Sequence, residues 1–218
     1  DIVHVENRVD PKSDIETINT ELILSDMQFL EKMLPKLEKD VKGGKEDKKK
    51  LEEVKKVYEA LKEGKILSNT SKDIDYELLK GINLLTLKPF IYVFNADDAS
   101  LADEALKKDL SNFVSPAPAI FLNAELEREV SQLPEEEADE FLEESGLDKL
   151  ASAGFSLLGL QTFLTAGPKE VRAWTIKKGS RAPEAAGVIH SDFEKGFIKA
   201  SVVSCEDLLE AGGYEEAK

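Results

Sequence analysis

Two apolar runs end in residues suited to hydrogen-bond recognition. KPFIYVFN (88–95) is followed by Ala96, Asp97 and Asp98, and PAIFLN (118–123) is followed by Ala124 and Glu125. An almost unbroken apolar run is what a central parallel strand covered by helices on both faces requires. Ligands of open α/β sheets bind outside the carboxyl ends of such strands. Asn95, Asp97, Asp98 and Asn123 therefore offer amides and carboxylates at a rim where a polar ligand could be read. On residue types alone, the same Asn and Asp also read as a turn and the N-cap of a helix starting near Leu101.

Other chemistries find less support. His4 lies inside the apolar run IVHV (2–5) with no second ligand at metal-binding spacing, and reads as a core residue. Cys205 and His190 invite a nucleophile–base pairing, but no Asn or Asp can be placed to orient them, and a cysteine after VVS reads as a small core residue. The Glu-Glu pairs between Glu125 and Asp148 read as outward helix surface, with Leu126, Val130, Leu133, Phe141 and Leu142 as the inner face. No GxxxxGK[ST] phosphate loop occurs, and the paired glycines Gly43-Gly44 and Gly212-Gly213 lack a Ser or Thr in register.

The elements that must position these residues follow from periodicity. IVHV fits a buried parallel strand, closed by Asp10-Pro11. From Asp14, Ile15, Ile18, Leu22, Phe29, Met33 and Leu37 recur at helical spacing, interrupted late by Pro35; beyond Gly43-Gly44, Leu51, Val54, Tyr58 and Leu61 form a second stripe. Two such stripes around a Gly turn predict an antiparallel helical hairpin, with Lys48 to Lys50 on its solvated face or on an arm that touches RNA or protein. Ile74, Leu78, Ile82 and Leu85 predict a third helix, and SGLDKL (145–150) begins a final apolar one, reaching Leu158. Gly167, Gly179, Gly187 and Gly196 punctuate a small β-rich module in which VRAWTI (171–176) alternates inward Val171, Ala173 or Trp174, and Ile176; EAAGVIH (184–190) fits a short helix across it.

Composition bounds the class. With 218 residues, 41% of them hydrophobic, the chain can bury one sizeable core plus an appendage. No apolar run approaches the roughly 20 residues of a membrane helix, no secretory signal is visible, and a single cysteine excludes a disulfide framework, so a cytoplasmic protein without a membrane partner is expected. The net charge of −15 is concentrated: residues 97–150 hold 16 acids against 4 bases, whereas residues 31–65 hold 12 Lys against 9 acids. Within 169–181, Lys169, Arg172, Lys177, Lys178 and Arg181 oppose only Glu170, so a basic patch can survive on an acidic protein.

TFLTAGPKEVRAWTIKKG (162–179) and APEAAGVIHSDFEKGFI (182–198) resemble the C-terminal TGS (β-grasp) domain of the YchF / Obg-like ATPase family, a branch of the Obg-related P-loop nucleotide hydrolases, and the likeness extends back to DIVHVENRVDP (1–11). The resemblance implies an α/β chain made of the second half of a P-loop NTPase domain with a Rossmann-like parallel sheet (1–14 and 86–160), an inserted helical, coiled-coil arm (15–85) and a truncated TGS domain (161–218). It implies ATP or GTP as ligand, with the phosphate loop, the switch regions and the Mg²⁺ ligands outside this chain, which alone would hydrolyse neither nucleotide.

The resemblance also assigns the two strand ends. Related hydrolases read guanine with Asn-Lys-x-Asp, and the family usually shows Asn-x-x-Glu; here Asn95-Ala96-Asp97-Asp98 keeps the Asn and places Ala96 and Asp98 at the second and fourth positions. Mixed, weak discrimination between the two purine nucleotides is the expectation. Asn123-Ala124 stands where relatives have Ser-Ala, which offers backbone N–H groups to the base. The implied partner is the ribosome or ribosomal RNA, met by a monomer through Lys177, Lys178 and Arg181, which flank Gly179, and through the helical arm. The alternative expectation is a non-catalytic RNA- or ribosome-binding module.

Overall fold

The computed structural model describes residues 9–134, 145–167 and 170–213, with backbone alone at 70–72. The expected IVHV strand with His4, the inner-face residues Phe141 and Leu142, and Lys169 lie outside the described residues. Contacts divide the chain into two compact units, Asp1–Gly154 and Phe155–Lys218.

The first unit starts on α1 (Pro11–Lys42), which begins where Asp10 accepts a hydrogen bond from the Ser13 amide at 3.2 Å and Pro11 takes the first turn, where its missing N–H costs nothing. The helix runs 32 residues and passes through Pro35, which ends nothing, contrary to the expected interruption. It turns at Gly43 and Gly44, the latter at φ +70°, into α2 (Lys48–Lys62). The hairpin is the expected one, but its seam is shifted. Ile23, Asp26, Leu30 and Leu37 are buried on α1, while Ile18 and Phe29 from the expected stripe stay exposed at 59% and 45%. On α2 the buried residues are Val54, Val57 and Leu61. Apolar residues stand at too many positions of α1 for periodicity alone to choose among neighbouring stripes, and a buried Asp is invisible to a hydrophobic pattern.

No third helix forms at residues 74–88: after a short 3₁₀ segment, Leu67–Asp73, the chain runs in successive turns, with Gly81 at φ +85° breaking helical geometry. Asp26 holds this segment. Its carboxylate accepts from the amides of Leu85 and Thr86, both at 2.8 Å, and from the Thr86 hydroxyl at 2.6 Å, while the Thr86 carbonyl accepts from Ser68 N–H at 2.8 Å. Leu67, Leu79 and Leu84 complete the hairpin core around it.

Beyond the pinned segment come β1 (Tyr92–Asn95), α3 (Asp98–Ala102), α4 (Glu104–Val114), β2 (Ala119–Leu122), α5 (Ala124–Val130) and α6 (Gly146–Leu157). The expected parallel pairing holds: β1 and β2 run in register from Tyr92 opposite Ala119 to Asn95 opposite Leu122, joined by the helical crossover that parallel neighbours require. Phe94 and Phe121 stack at 4.8 Å on one face, and Ile120 and Leu122 are buried on the other.

The second unit carries β3 (Leu160–Ala166) paired antiparallel with β4 (Val171–Lys177), then α7 (Ala182–Ile189), α8 (Ser191–Lys195) and α9 (Cys205–Ala211). Of the expected inward set of β4, Trp174 and Ile176 are covered, whereas Val171 and the alternative Ala173 are exposed. Arg172 on that covered face lies 4.1 Å over the Trp174 ring, whose indole N–H donates to the Thr165 hydroxyl at 2.8 Å.

Removing the Asp26 carboxylate leaves three donors without a partner in a buried place. Asp26→Ala is expected to lower the unfolding free energy by about 3 kcal/mol in urea titrations, and a decrease below about 1 kcal/mol would show that the staple is dispensable.

Candidate functional site

Parallel pairing carries the chain from β1 and from β2 to the same edge of the sheet, so the loops at 95–98 and 123–124 are neighbours. The ladder continues one residue beyond β1, with Ala96 N–H donating to the Leu122 carbonyl at 2.9 Å. Two side-chain hydrogen bonds then cross between the loops in opposite directions. Asn95 Oδ1 accepts from the Ala124 amide at 2.9 Å, and Asn123 Nδ2 donates to Asp98 Oδ1 at 3.0 Å. The predicted residues Asn95, Ala96, Asp98, Asn123 and Ala124 are thus brought together in one braced cluster.

The turn and cap reading of these residues is also physically present. Asp97 caps α3 by accepting from the Ser100 amide at 2.9 Å. The Ser100 side chain and amide, both bonding to it, hold the Asp97 carboxyl below its ordinary range. Asn123 caps α5, with Oδ1 accepting from Glu125 N–H at 3.1 Å and Leu126 N–H at 3.2 Å. Asp97 is spent on its helix; Asp98 is exposed, and among the described residues only its Oδ1 has a partner. The Ala124 N–H is already given to Asn95, so the backbone donor expected to meet a base is occupied.

Glu127 was not anticipated. It sits among residues that read as outward acidic surface, yet it is 9% exposed. Its carboxylate accepts from the Ser145 hydroxyl at 2.6 Å and from the Gly146 amide, which ties the start of α6 to α5. A Cβ on Gly146 would come within 2.5 Å of Leu122 Cβ, so the approach needs glycine. The only signal in the sequence was the glycine of SGLDKL, which periodicity treats as neutral.

Beside β1 and the start of α1 runs a cleft of about 740 Å³, walled by Tyr92, Phe94 and Phe121 and reaching Asn95, Ala96, Asp97 and Ser100. In the second unit Lys177, Lys178 and Arg181 are all exposed around the turn at Gly179, φ +85°, and among the described residues none of the three makes an ion pair. Arg172 instead lies over Trp174 and stands 3.9 Å from Glu170. In the hairpin, Lys48 pairs with Glu52 at 3.3 Å and Lys50 with Glu46 at 3.2 Å. Cys205 is exposed at the start of α9 rather than in a core, and His190 caps α8 by accepting from the Asp192 amide at 3.2 Å.

Comparison with known proteins agrees with this architecture. The model of the family YchF-GTPase_C, described as "Protein of unknown function (DUF933)", matches residues 160–218. A protein from Bacillus subtilis (strain 168) named "Ribosome-binding ATPase YchF" is 43% identical over 231 residues, covering 100% of this chain and 63% of that protein. One of the same name from Haemophilus influenzae is 40% identical, covering 100% of this chain and 62% of its own length. The solved structure of the Schizosaccharomyces pombe YchF GTPase superposes with a TM-score of 0.79 at 31% identity, over 99% of this chain and 62% of that one. The chain belongs to the YchF family. It spans just under two thirds of the length of these YchF relatives, and its mixed α/β fold is that of the matching part of the YchF GTPase structure.

Because Asp97 is held below its ordinary range by Ser100, its cap is fully formed above the usual carboxylate pKa and is lost as the pH falls through the folded-state value. An NMR titration of the side-chain carboxyl should give a midpoint below that of Asp in an unfolded peptide, and Ser100→Ala should raise it. A midpoint at or above the peptide value contradicts the cap.

Proposed function

We propose that the protein containing this chain is a nucleoside-triphosphate hydrolase that works on the ribosome, and that the loops at Asn95–Asp98 and Asn123–Ala124 hold the purine base of ATP or GTP. The observation that carries the reading is the pair of opposed hydrogen bonds that fixes these loops at the carboxyl ends of two parallel strands, in a chain whose relatives are named ribosome-binding ATPases. Asn95 spends its oxygen on Ala124, leaving its Nδ2 to donate to a ring nitrogen of the base, while Asp98 keeps one free oxygen for an amino group. Residues 1–14 and 86–160 serve as the nucleotide-binding part, 15–85 as a helical, coiled-coil arm, and 161–218 as a TGS-like β-grasp module.

Catalysis by such proteins rests on positioning and charge stabilisation at the phosphates, where Mg²⁺ supplies positive charge. The sequence has no GxxxxGK[ST] loop, and the part proposed for this chain is to bind and orient the base. The phosphate and Mg²⁺ ligands belong to other residues of the complete protein. The 218-residue chain by itself is therefore expected to release no phosphate from ATP or GTP above buffer, whereas the complete protein does; turnover by the isolated chain would overturn this division of labour.

Ribosome docking is assigned to Lys177, Lys178 and Arg181, which are exposed and make no ion pair among the described residues, whereas two of the arm lysines already have Glu partners. A cytoplasmic monomer without a membrane partner fits this role, and no helix among the described residues is long and apolar enough to cross a membrane. The competing reading, a docking module without catalysis, draws on the same basic turn. Co-sedimentation of the complete protein with ribosomes at two salt concentrations should show weaker binding for the triple Lys177→Ala, Lys178→Ala, Arg181→Ala variant. Its salt slope should be shallower by about 1 for each phosphate that the variant no longer neutralises. Unchanged affinity and slope would move the docking surface to the arm around Lys48 to Lys50.

A further inference from the structure

We propose that Glu127 is a positioning residue for the base: bonded to the head of α6, it holds the loop at Asn123 and Ala124 in the geometry that meets a purine. This rests on the assignment of that loop to the base, and adds to it a residue that touches neither base nor phosphate. The need for such a residue follows from the elements that flank the loop. It is carried between β2, of four residues, and α5, of seven. A strand and a helix this short are marginal unless other elements hold them.

Glu127 ties the loop to the twelve-residue α6. Its backbone N–H donates to the Asn123 carbonyl at 2.9 Å, closing the first turn of α5 directly behind the loop. Its carboxylate, almost out of contact with water, accepts from the Ser145 hydroxyl at 2.6 Å and from the Gly146 amide. Ser145 Oγ in turn accepts from the Leu147 amide at 3.1 Å, so the grip is fixed to the helix itself. Gly146 reaches the other flank of the loop as well. A Cβ built on it would meet Leu122 Cβ at 2.5 Å and Glu127 Oε1 at 2.8 Å, so one residue of α6 lies against the residue before the loop and the side chain one turn after it. The other loop is held through the same two points. Ala96 N–H donates to the Leu122 carbonyl at 2.9 Å, and Asn95 Oδ1 accepts from the Ala124 amide at 2.9 Å. Loss of the Glu127 carboxylate therefore loosens Asn123 and Asn95 together, while the residues of the complete protein that hold the phosphates keep their contacts.

The experiment compares the affinity of the complete protein for ATP with that for ribose triphosphate lacking a base, in wild type, Glu127→Ala, Glu127→Gln and Asp98→Ala. Glu127→Ala is expected to weaken ATP about tenfold and the base-free ligand by no more than about twofold, whereas a residue that served stability alone would weaken both alike or neither. Glu127→Gln, whose amide can accept from Gly146 and donate to Ser145, should stay within about threefold of wild type for ATP. Joining Glu127→Ala to Asp98→Ala should cost less than the sum of the two, because both act through one cluster. Equal losses for the two ligands in Glu127→Ala, or an ATP affinity unchanged within about twofold, overturn the role of Glu127 and leave the base site standing where Asp98→Ala still weakens ATP selectively. An ATP affinity indifferent to Asp98→Ala overturns the base site and this proposal with it. Far-UV circular dichroism shows whether each variant is folded. Should Glu127→Ala not fold, Ser145→Ala carries the test, since it removes one donor and leaves the carboxylate bonded to Gly146: a loss of about threefold confined to ATP supports the proposal, and an equal loss for both ligands or none overturns it.

Discussion

The site depends on a constraint of parallel pairing. Strands β1 and β2 are four residues each, and a ladder that short does not by itself hold the loops beyond it in one geometry. Asn95 and Asn123, opposite in direction and each reaching into the other loop, supply what the ladder lacks. Each Asn also meets a need of the backbone. Asn95 satisfies the Ala124 amide and Asn123 satisfies two amides at the start of α5, so the groups that orient the cluster are the same groups that complete the local fold. The geometry of the cluster is therefore built into the starts of the helices and needs no separate scaffold.

Behind this rim, two buried carboxylates act as joints. Asp26 collects three donors from the segment that leads from the helical hairpin into β1, and Glu127, on α5, collects two from the start of α6. One leads the chain into the first strand of the pair; the other anchors a later helix to the helix that follows the second. A carboxylate suits such joints because it accepts several bonds at once, and each charge-assisted bond outweighs a neutral one.

What could be read from the sequence follows from this division. The apolar runs ending at Asn95 and Asn123 showed the two strands, and parallel pairing placed their ends together, because continuous apolar character and β-branching are properties of the elements themselves. The hairpin was legible for the same reason, although its seam moved because α1 is apolar on more than one stripe. Asp26 and Glu127 were not legible: both are polar residues whose burial depends on donors roughly 60 and 18–19 positions away, which no local period records. The helix expected at Ile74 to Leu85 failed because Ile74, Leu79, Ile82 and Leu84 pack on the hairpin through successive turns pinned by Asp26. At the site, residue types named the participants, but the use of Ala124 by Asn95 and of Asp98 by Asn123 arose only from the fold.

The claim on which the account turns is that the braced cluster meets a nucleotide base. ¹⁵N NMR of the complete protein, titrated with ATP and separately with ribose triphosphate lacking a base, tests it most directly. The account predicts that ATP shifts the Asn95 and Asn123 side-chain amides together with the Ala96 to Asp98 backbone, that these shifts are absent with the base-free ligand, and that the turn at Lys177 to Arg181 is unaffected by either. Side-chain amides of Asn95 and Asn123 that stay unmoved while ATP saturates the protein would contradict it.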